Sequence, residues 1–537
     1  MGSAGDGIPM KSSRRLFLLA PLVIAACSIV GGIYAPGVAG ASAASRDDIE
    51  ASVRTFASIY SMVERNYAEP LDPDKAIYRG AVPGMLRTLD PHSSFFDPRD
   101  FQLLREDQRG QYFGVGMKVG ARNNKTLVME VFTGMPAYKA GLRPGDVIIA
   151  VGDKSTEGLS TSEVADLLKG PRGTTVKVTV VRQGKDEPLV FEVKRDAISR
   201  KSVPDAYFIR PGIAYIQVAQ FNETTSRELD EHLRRLGEEN IKGLILDLRN
   251  NPGGLLNEGV AVADRFLKKG QLIVSHRGRA SKERRYEAVN GDGGRDYPIV
   301  VLVNRYSASA AEIVAGALQD HDRGWILGDN TFGKGLVQTV YPLSENTGLA
   351  LTTAKYYTPS GRLIQRDYSS MSFFDYYYRK NTGTQNSEDV KMTDSGRTVY
   401  GGGGIAPDEK FTPPKLNRFQ IELLQQAAFF NFTAKYFGAS DAKLPRNWEP
   451  DATIENEFHR FLLESGISFT EADYAVNRDW LRTQLKREVY AYAFSIDEAN
   501  RVEVESDPEV AKAIEAMPKA KALLETAKRM LAQRNSK

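Results

Sequence analysis

Residues Thr175 to Val181 (TVKVTVV) alternate apolar and polar side chains, the two-residue period of a strand with one buried face. Other segments lengthen that period. Ile299 to Val303 is an unbroken, strand-like apolar run that ends at a polar turn, and Ala310 to Leu318 then carries the small and apolar residues of a helix packed on a sheet. The strand-like Leu244 to Leu248 likewise passes through Asn250-Asn251-Pro252-Gly253-Gly254 into the helix-like Leu255 to Leu267. From about 196 to 411 strands and helices alternate in this way, as α/β units do. Residues 46–110 read as helical and are expected to pack with the core. After Thr412-Pro413-Pro414 come charged helical stretches; Asp507-Pro508-Glu509 opens one with aspartate as N-cap and proline at the first helical position.

Residues 111–195 read as a separate β-rich module. Tyr112 to Gly116 opens a strand, 134–153 give a helical turn and a strand, Ser162 to Leu168 fits a helix, and Thr175 to Val181 closes the module. The expectation is an α/β multidomain chain with an inserted module and helical N- and C-terminal regions. Between Gln365 and Gly401 lies an aromatic and polar insertion containing FFDYYYRK (373–380), whose role the sequence does not define.

Composition narrows the function. With 537 residues the chain is too long for one core, and three or four units are expected. A net charge of +3 with no long basic stretch argues against a nucleic-acid partner. Residues 1–45 read as an export signal or an uncleaved anchor. Lys11, Arg14 and Arg15 precede an apolar stretch from Leu16 to Tyr34, and Ala39, Ala41 and Ala43 follow. Ser13 to Leu18 also resembles a twin-arginine signal. The single cysteine, Cys27, follows Ile24-Ala25-Ala26, so lipidation there is the alternative to signal cleavage or retention. The expected location is the bacterial periplasm or the outer face of the inner membrane, with the membrane as a partner of the N-terminal segment. Without Cys27 the exported part has no cysteine and no disulfide.

Ser309 stands at the head of the helix beginning at Ala310, and Lys334 lies on a glycine-flanked turn. A serine hydroxyl becomes a nucleophile when a neighbouring base takes its proton, and a lysine serves only when neutral. Moving a lysine from about 10.4 to about 7 requires roughly 4–5 kcal/mol of preference for the neutral form, within reach of desolvation. Phe332, Leu336 and Val337 offer apolar neighbours. Plainer readings compete. Ser309-Ala310-Ala311-Glu312 fits a capping box. Gly328 to Lys334 reproduces most of a phosphate-binding loop, but Gly335 stands where that motif needs Ser or Thr. A serine/histidine mechanism through His92, His276 or His321 also stays open. For the oxyanion, the Ala310 amide at the helix start is a natural donor.

Several ordered motifs carry a resemblance from about Asp90 to Asp408: DPHSSFF (90–96), the 111–195 module, DLRNNPGG (247–254), SASAAEI (307–313), TFGKGLVQ (331–338), YYTPSGRLIQ (356–365) and GGIAPD (403–408). The chain resembles the carboxyl-terminal processing proteases, tail-specific serine peptidases of family S41 with an embedded PDZ domain. The resemblance implies a crotonase-like (ClpP/crotonase-type) core over 196–411, Ser309 as nucleophile, Lys334 as general base and Gln338 helping to hold the lysine. It places a second oxyanion donor at Gly253 or Gly254. Ala311 departs from the pattern, since many members have a serine there. No cofactor or metal is implied.

The 111–195 module resembles a PDZ domain of the processing-protease type, chiefly through GLRPGDVI (141–148). Such a domain adds an extended peptide to a strand and captures its terminal carboxylate on loop amides. Gly114, Val115 and Gly116 are the expected carboxylate loop, with Phe113 lining the pocket. The expected activity is endoproteolysis near the flexible free C-termini of exported proteins, with the module presenting tails or obstructing the groove. An inactive PDZ scaffold and a crotonase-like acyl hydrolase acting on a non-peptide substrate are the alternatives. The C-terminal helices are expected either to dock an adaptor or a second copy, or to pack on their own chain.

Overall fold

The computed structural model describes residues 46–122, 124–369, 371–378, 386–437 and 444–535. Residues 1–45, read above as an export signal or anchor, and with them Cys27, lie outside the described residues, as does the end of the FFDYYYRK run. No helix among the described residues is long and apolar enough to cross a membrane. The chain divides after Phe95 into two compact units. In the first, helix α1 (Arg46–Asn66) is followed by short helical turns, and Tyr78 stacks on Phe95 at 5.3 Å. The carboxylate of Asp90 accepts the amides of His92 and Ser93 at 2.8 Å, which closes the DPHSS turn. The helix α2 (Pro98–Arg109), which sequence groups with the N-terminal helices, belongs to the second unit.

In the second unit the inserted module begins and ends in a two-stranded ribbon. Strand β1 (Gln111–Gly114) is followed by β2 (Met117–Arg122), β3 (Lys125–Val131) and β4 (Val147–Val151). Helix α3 (Thr161–Leu168), β5 (Thr175–Val181), β6 (Leu189–Lys194) and β7 (Asp196–Ser199) complete it. β1 and β7 pair antiparallel, with Phe113 opposite Ala197, so the module's two ends leave the core side by side. The other five form a sheet in the order β2-β3-β4-β5-β6, with the short strand Lys154–Ser155 added to β4. The alternation in β5 is realised: Val176, Val178 and Val180 are buried with Val128, Ile148 and Val164. α3 starts on a full capping box formed by Ser160 and Glu163.

The chain then lays down β8 (Ala206–Arg210), β9 (Ile213–Gln217), β10 (Gly243–Asp247), helix α4 (Leu256–Asp264), β11 (Leu272–Arg277), β12 (Ile299–Val303), helix α5 (Ala310–Asp320) and β13 (Trp325–Gly328). β14 (Leu336–Pro342), β15 (Gly348–Tyr357) and β16 (Glu409–Lys410) follow. The central sheet runs β8-β9-β10-β12-β13-β16 and is parallel except for the β8–β9 pair. Both faces of its inner strands are covered. Leu244 and Leu246 pack with Val301, Val314 and Leu318 on one face, while Ile245, Val300 and Leu302 pack on the other against Val510, Ala513 and Ala516 of helix α6 (Pro508–Asn535). That two-sided burial is why β10 and β12 read as continuous apolar runs. Small residues let α6 approach closely; a Cβ at Gly243 would meet Met517 Sδ at 3.1 Å. The helices between Arg418 and Ala493 form a core of their own around Phe429, Phe432 and Phe458. The 366–400 insertion contains a short helix, Phe373–Tyr378, and the hairpin strands Asn386–Met392 and Thr398–Gly401.

Candidate active site

Three turns leave the carboxyl ends of β10, β12 and β13, the edge at which open parallel sheets place their ligands. The first holds Gly253 and Gly254, the second Ser309, the third Lys334. All four line an open cleft of about 400 Å³ together with Gln338 and Tyr356.

Ser309 sits between β12 and α5 at φ 55°, ψ −114°, a conformation that costs a non-glycine residue of order 1–3 kcal/mol and is held by its surroundings. A sharp strand-to-helix turn of this kind lifts a side chain off the backbone and aims it outward. The capping-box reading is half right. The Glu312 carboxylate reaches back to the Ser309 amide at 2.9 Å, while the Glu312 amide donates to the Ser309 carbonyl at 2.9 Å. The other serine of the motif, Ser307, is a buried latch whose hydroxyl donates to the Leu248 carbonyl at 2.8 Å.

Glu312 is fully buried and also accepts from the Gly333 amide at 2.7 Å, the Lys334 amide at 2.9 Å and the Thr331 hydroxyl at 2.5 Å. Burial pushes its carboxyl above the usual range, against the pull of those four donors. This arrangement removes the phosphate-loop reading. The amides that would cradle a phosphate at Gly333 and Lys334 already serve a buried carboxylate, and the chain continues into strand β14 instead of a helix. On the opposite side, the hydroxyl of Tyr356 donates to the carbonyls of Ser309 at 3.1 Å and Lys334 at 2.6 Å. One carboxylate and one phenol thus hold the backbones of both residues. Sequence reasoning missed both roles: Glu312 is legible only as a helix cap, and nothing local singles out Tyr356.

Gly253, at φ 93°, lies so close to the helix start that a Cβ would fall 2.6 Å from Ser309 Cβ and 2.9 Å from the Ala310 amide nitrogen. Its amide donates to Asn251 Oδ1 at 2.8 Å. The bridge between Phe221 and Gly254 uses the Gly253 carbonyl and the Leu255 amide, which leaves the Gly254 amide outside both sets of bonds. Gln338 follows a bulge in β14 and donates to Thr352 Oγ1 at 3.2 Å. No histidine of the second unit lines the cleft. His321 caps the far end of α5, held between Asp394 Oδ2 at 2.8 Å and the Leu272 carbonyl at 2.7 Å. His276, on β11, has its Nε2 3.3 Å from the Tyr286 hydroxyl, and His92 lies in the first unit.

In the inserted module the Val115 and Gly116 carbonyls accept the amides of Ala137 at 2.7 Å and Phe132 at 3.0 Å, fixing the loop that enters β2. Gly116 has φ 78°, and a Cβ there would meet Met135 Cβ at 2.5 Å. A Cβ at Gly114 would meet the Tyr112 ring at 3.1 Å. β2 is an edge strand, open to an added one. Phe113 belongs to the β1/β7 ribbon, just before that loop, and is 44% exposed.

A strained serine and a lysine lining one cleft, with a β-rich module inserted ahead of an α/β core, is the architecture of a serine-type peptidase. Residues 212–369 match the model of peptidase family S41 and residues 127–182 that of a PDZ domain. The carboxy-terminal-processing protease of Bartonella bacilliformis is 43% identical over 315 residues, covering 58% of this chain and 72% of that one. The carboxy-terminal processing protease CtpA of Bacillus subtilis is 32% identical over 410 residues, covering 71% and 85%. Among solved structures, the photosystem II D1 C-terminal processing protease is 30% identical over 68% of this chain and 88% of its own, with a TM-score of 0.36. The chain belongs to peptidase family S41, the carboxyl-terminal processing proteases.

Proposed function

We propose that this protein is a serine endopeptidase that cleaves near the free C-termini of exported proteins, with Ser309 as nucleophile and Lys334 as general base on a crotonase-like core. The carrying observation is that Glu312 and Tyr356 bind the backbones of Ser309 and Lys334 together at one cleft. A neutral Lys334 amine takes the Ser309 proton as Oγ attacks the scissile carbonyl. The oxyanion that forms meets the Ala310 amide at the helix start and the Gly254 amide, the one that Asn251 leaves available. Lysine then returns the proton to the leaving amine, and water releases the acyl group by the same route in reverse. Gln338, adjacent in the cleft, supports the lysine from β14.

The PDZ module recognises the tail by adding it to β2, with its carboxylate on the amides of the Gly114–Gly116 loop and Phe113 at the entrance. By its apolar N-terminal stretch the protein works in the periplasm or at the outer face of the inner membrane. Turnover of a tailed peptide by wild type and by Ser309→Ala tests the reading: wild-type turnover in Ser309→Ala overturns it.

A further inference from the structure

We infer that Asp507 and Glu509, at the first turn of α6, are positioning residues for the active cleft, acting through Arg249 on the Asn250–Gly254 turn. The inference rests on the roles given above to Ser309 and Gly254. Arg249 stands directly before that turn, and its guanidinium is shared between two distant elements. Nε and Nη2 bind the buried Asp247 at 3.0 Å and 2.6 Å, and Nη1 binds Asp507 at 2.7 Å and Glu509 at 2.9 Å. A planar guanidinium presents its donors in a fixed fork, so two fixed partners define its place. Asp247 is itself fixed by the Tyr215 hydroxyl at 2.8 Å. The α6 carboxylates supply the second attachment.

From Arg249 the constraint passes directly to the cleft. Asn251 is fully buried; its Nδ2 donates to the Val218 carbonyl at 2.6 Å and its Oδ1 accepts the Gly253 amide, while its carbonyl accepts the Ala308 amide at 2.9 Å. Gly253 then abuts Ser309 with no room for a methyl group. Glu509 also touches the third turn, since a Cβ at Gly328 would meet its Oε1 at 2.9 Å. The first turn of α6 thereby borders both the turn that offers the Gly254 amide and the one that leads to Lys334. Loss of its charges leaves Nη1 of a largely buried cation without its carboxylates. Misplacing a reacting group by about 1 Å costs on the order of a hundredfold in rate.

The test compares Asp507→Asn/Glu509→Gln, Glu509→Gln alone and Lys519→Ala in the full chain at about pH 8.5, where Glu509 is ionised, using a tailed peptide with a free carboxylate. Lys519→Ala removes another attachment of the same helix, its 2.7 Å pair with Glu409, and spares Arg249. The carboxylate variants are expected to lose about tenfold to a hundredfold in kcat with KM within about twofold. Labelling of Ser309 by a fluorophosphonate should slow in step, and Lys519→Ala should keep wild-type kcat. Glu509→Gln alone, which conserves size and the Asp507 pair, gives the same reading if the double variant does not fold. Wild-type kcat in the carboxylate variants overturns the inference, as does an equal loss in Lys519→Ala. Failure of the underlying reading is separate and shows as wild-type turnover in Ser309→Ala.

Discussion

The amide of Lys334 donates to Oε2 of Glu312 at 2.9 Å, and the amide of Ser309 reaches the same oxygen at 2.9 Å. The backbones of the two residues are therefore tied to one buried carboxylate before any substrate arrives.

Ser309→Ala and Lys334→Ala should each abolish cleavage while leaving thermal unfolding close to wild type. The double variant should be no worse than either single, because residues that act as a unit are not additive. Steady-state kinetics on a tailed peptide decide it, and measurable turnover in Lys334→Ala would return attention to the histidines.

Glu312→Gln keeps size and removes acceptor capacity. Its amide group must face one of the backbone donors at Ser309, Gly333 or Lys334, so a loss of about 1–3 kcal/mol in stability is expected, together with a fall in kcat. Denaturant midpoints and kcat should move together; an unchanged midpoint would argue against the carboxylate as the common tie.

A methyl group at Gly253 collides with Ser309. Gly253→Ala should slow fluorophosphonate labelling of Ser309 and cost roughly 1–3 kcal/mol through its positive φ. Labelling at the wild-type rate would mean that the turn is freer than its contacts imply.

Tail recognition makes a different signature. Gly116→Val places bulk against Met135 at the loop leading into β2, and amidating the substrate terminus removes the carboxylate. If the module recruits tails, each should raise KM about tenfold or more with little change in kcat. Equal cleavage of free and amidated tails would sink the tail-sensing role.

Burial pushes the Glu509 carboxyl up to about 7; nearby Asp507 and Asp247 push the same way, and Arg249 opposes. The folded chain therefore holds a proton that the unfolded chain releases above about 4.3. The stability this contributes is complete below the unfolded value and is lost as pH rises through about 7. Thermal unfolding from about pH 5 to 8 should fall more steeply for wild type than for Glu509→Gln. Parallel curves would contradict the assignment.

Much of the core was readable because its signals are local. β12 and α5 announce themselves by an apolar run followed by small residues, and Thr175 to Val181 forms the strand that its alternation predicts. The pairing of Ser309 with Lys334 was legible only through the ordered motifs. What escaped depends on proximity across the fold. Glu312 meets Gly333 and Lys334 about twenty residues on, Tyr356 closes on them from a neighbouring sheet, and Gln338 finds Thr352 across a β-bulge. No local sequence signal at Phe95 separates helix α2 from the helices before it, although the chain divides there.

The bond from Arg249 to Asp507 spans 258 positions. A contact of that sequence separation closes a long loop and needs the whole intervening chain to be present. A polypeptide that has not yet delivered residue 509 has every strand of its central sheet and still lacks the brace on its cleft. Ending the chain before residue 507 would therefore keep all six strands of that sheet in the sequence and strip both carboxylates from Nη1 of Arg249.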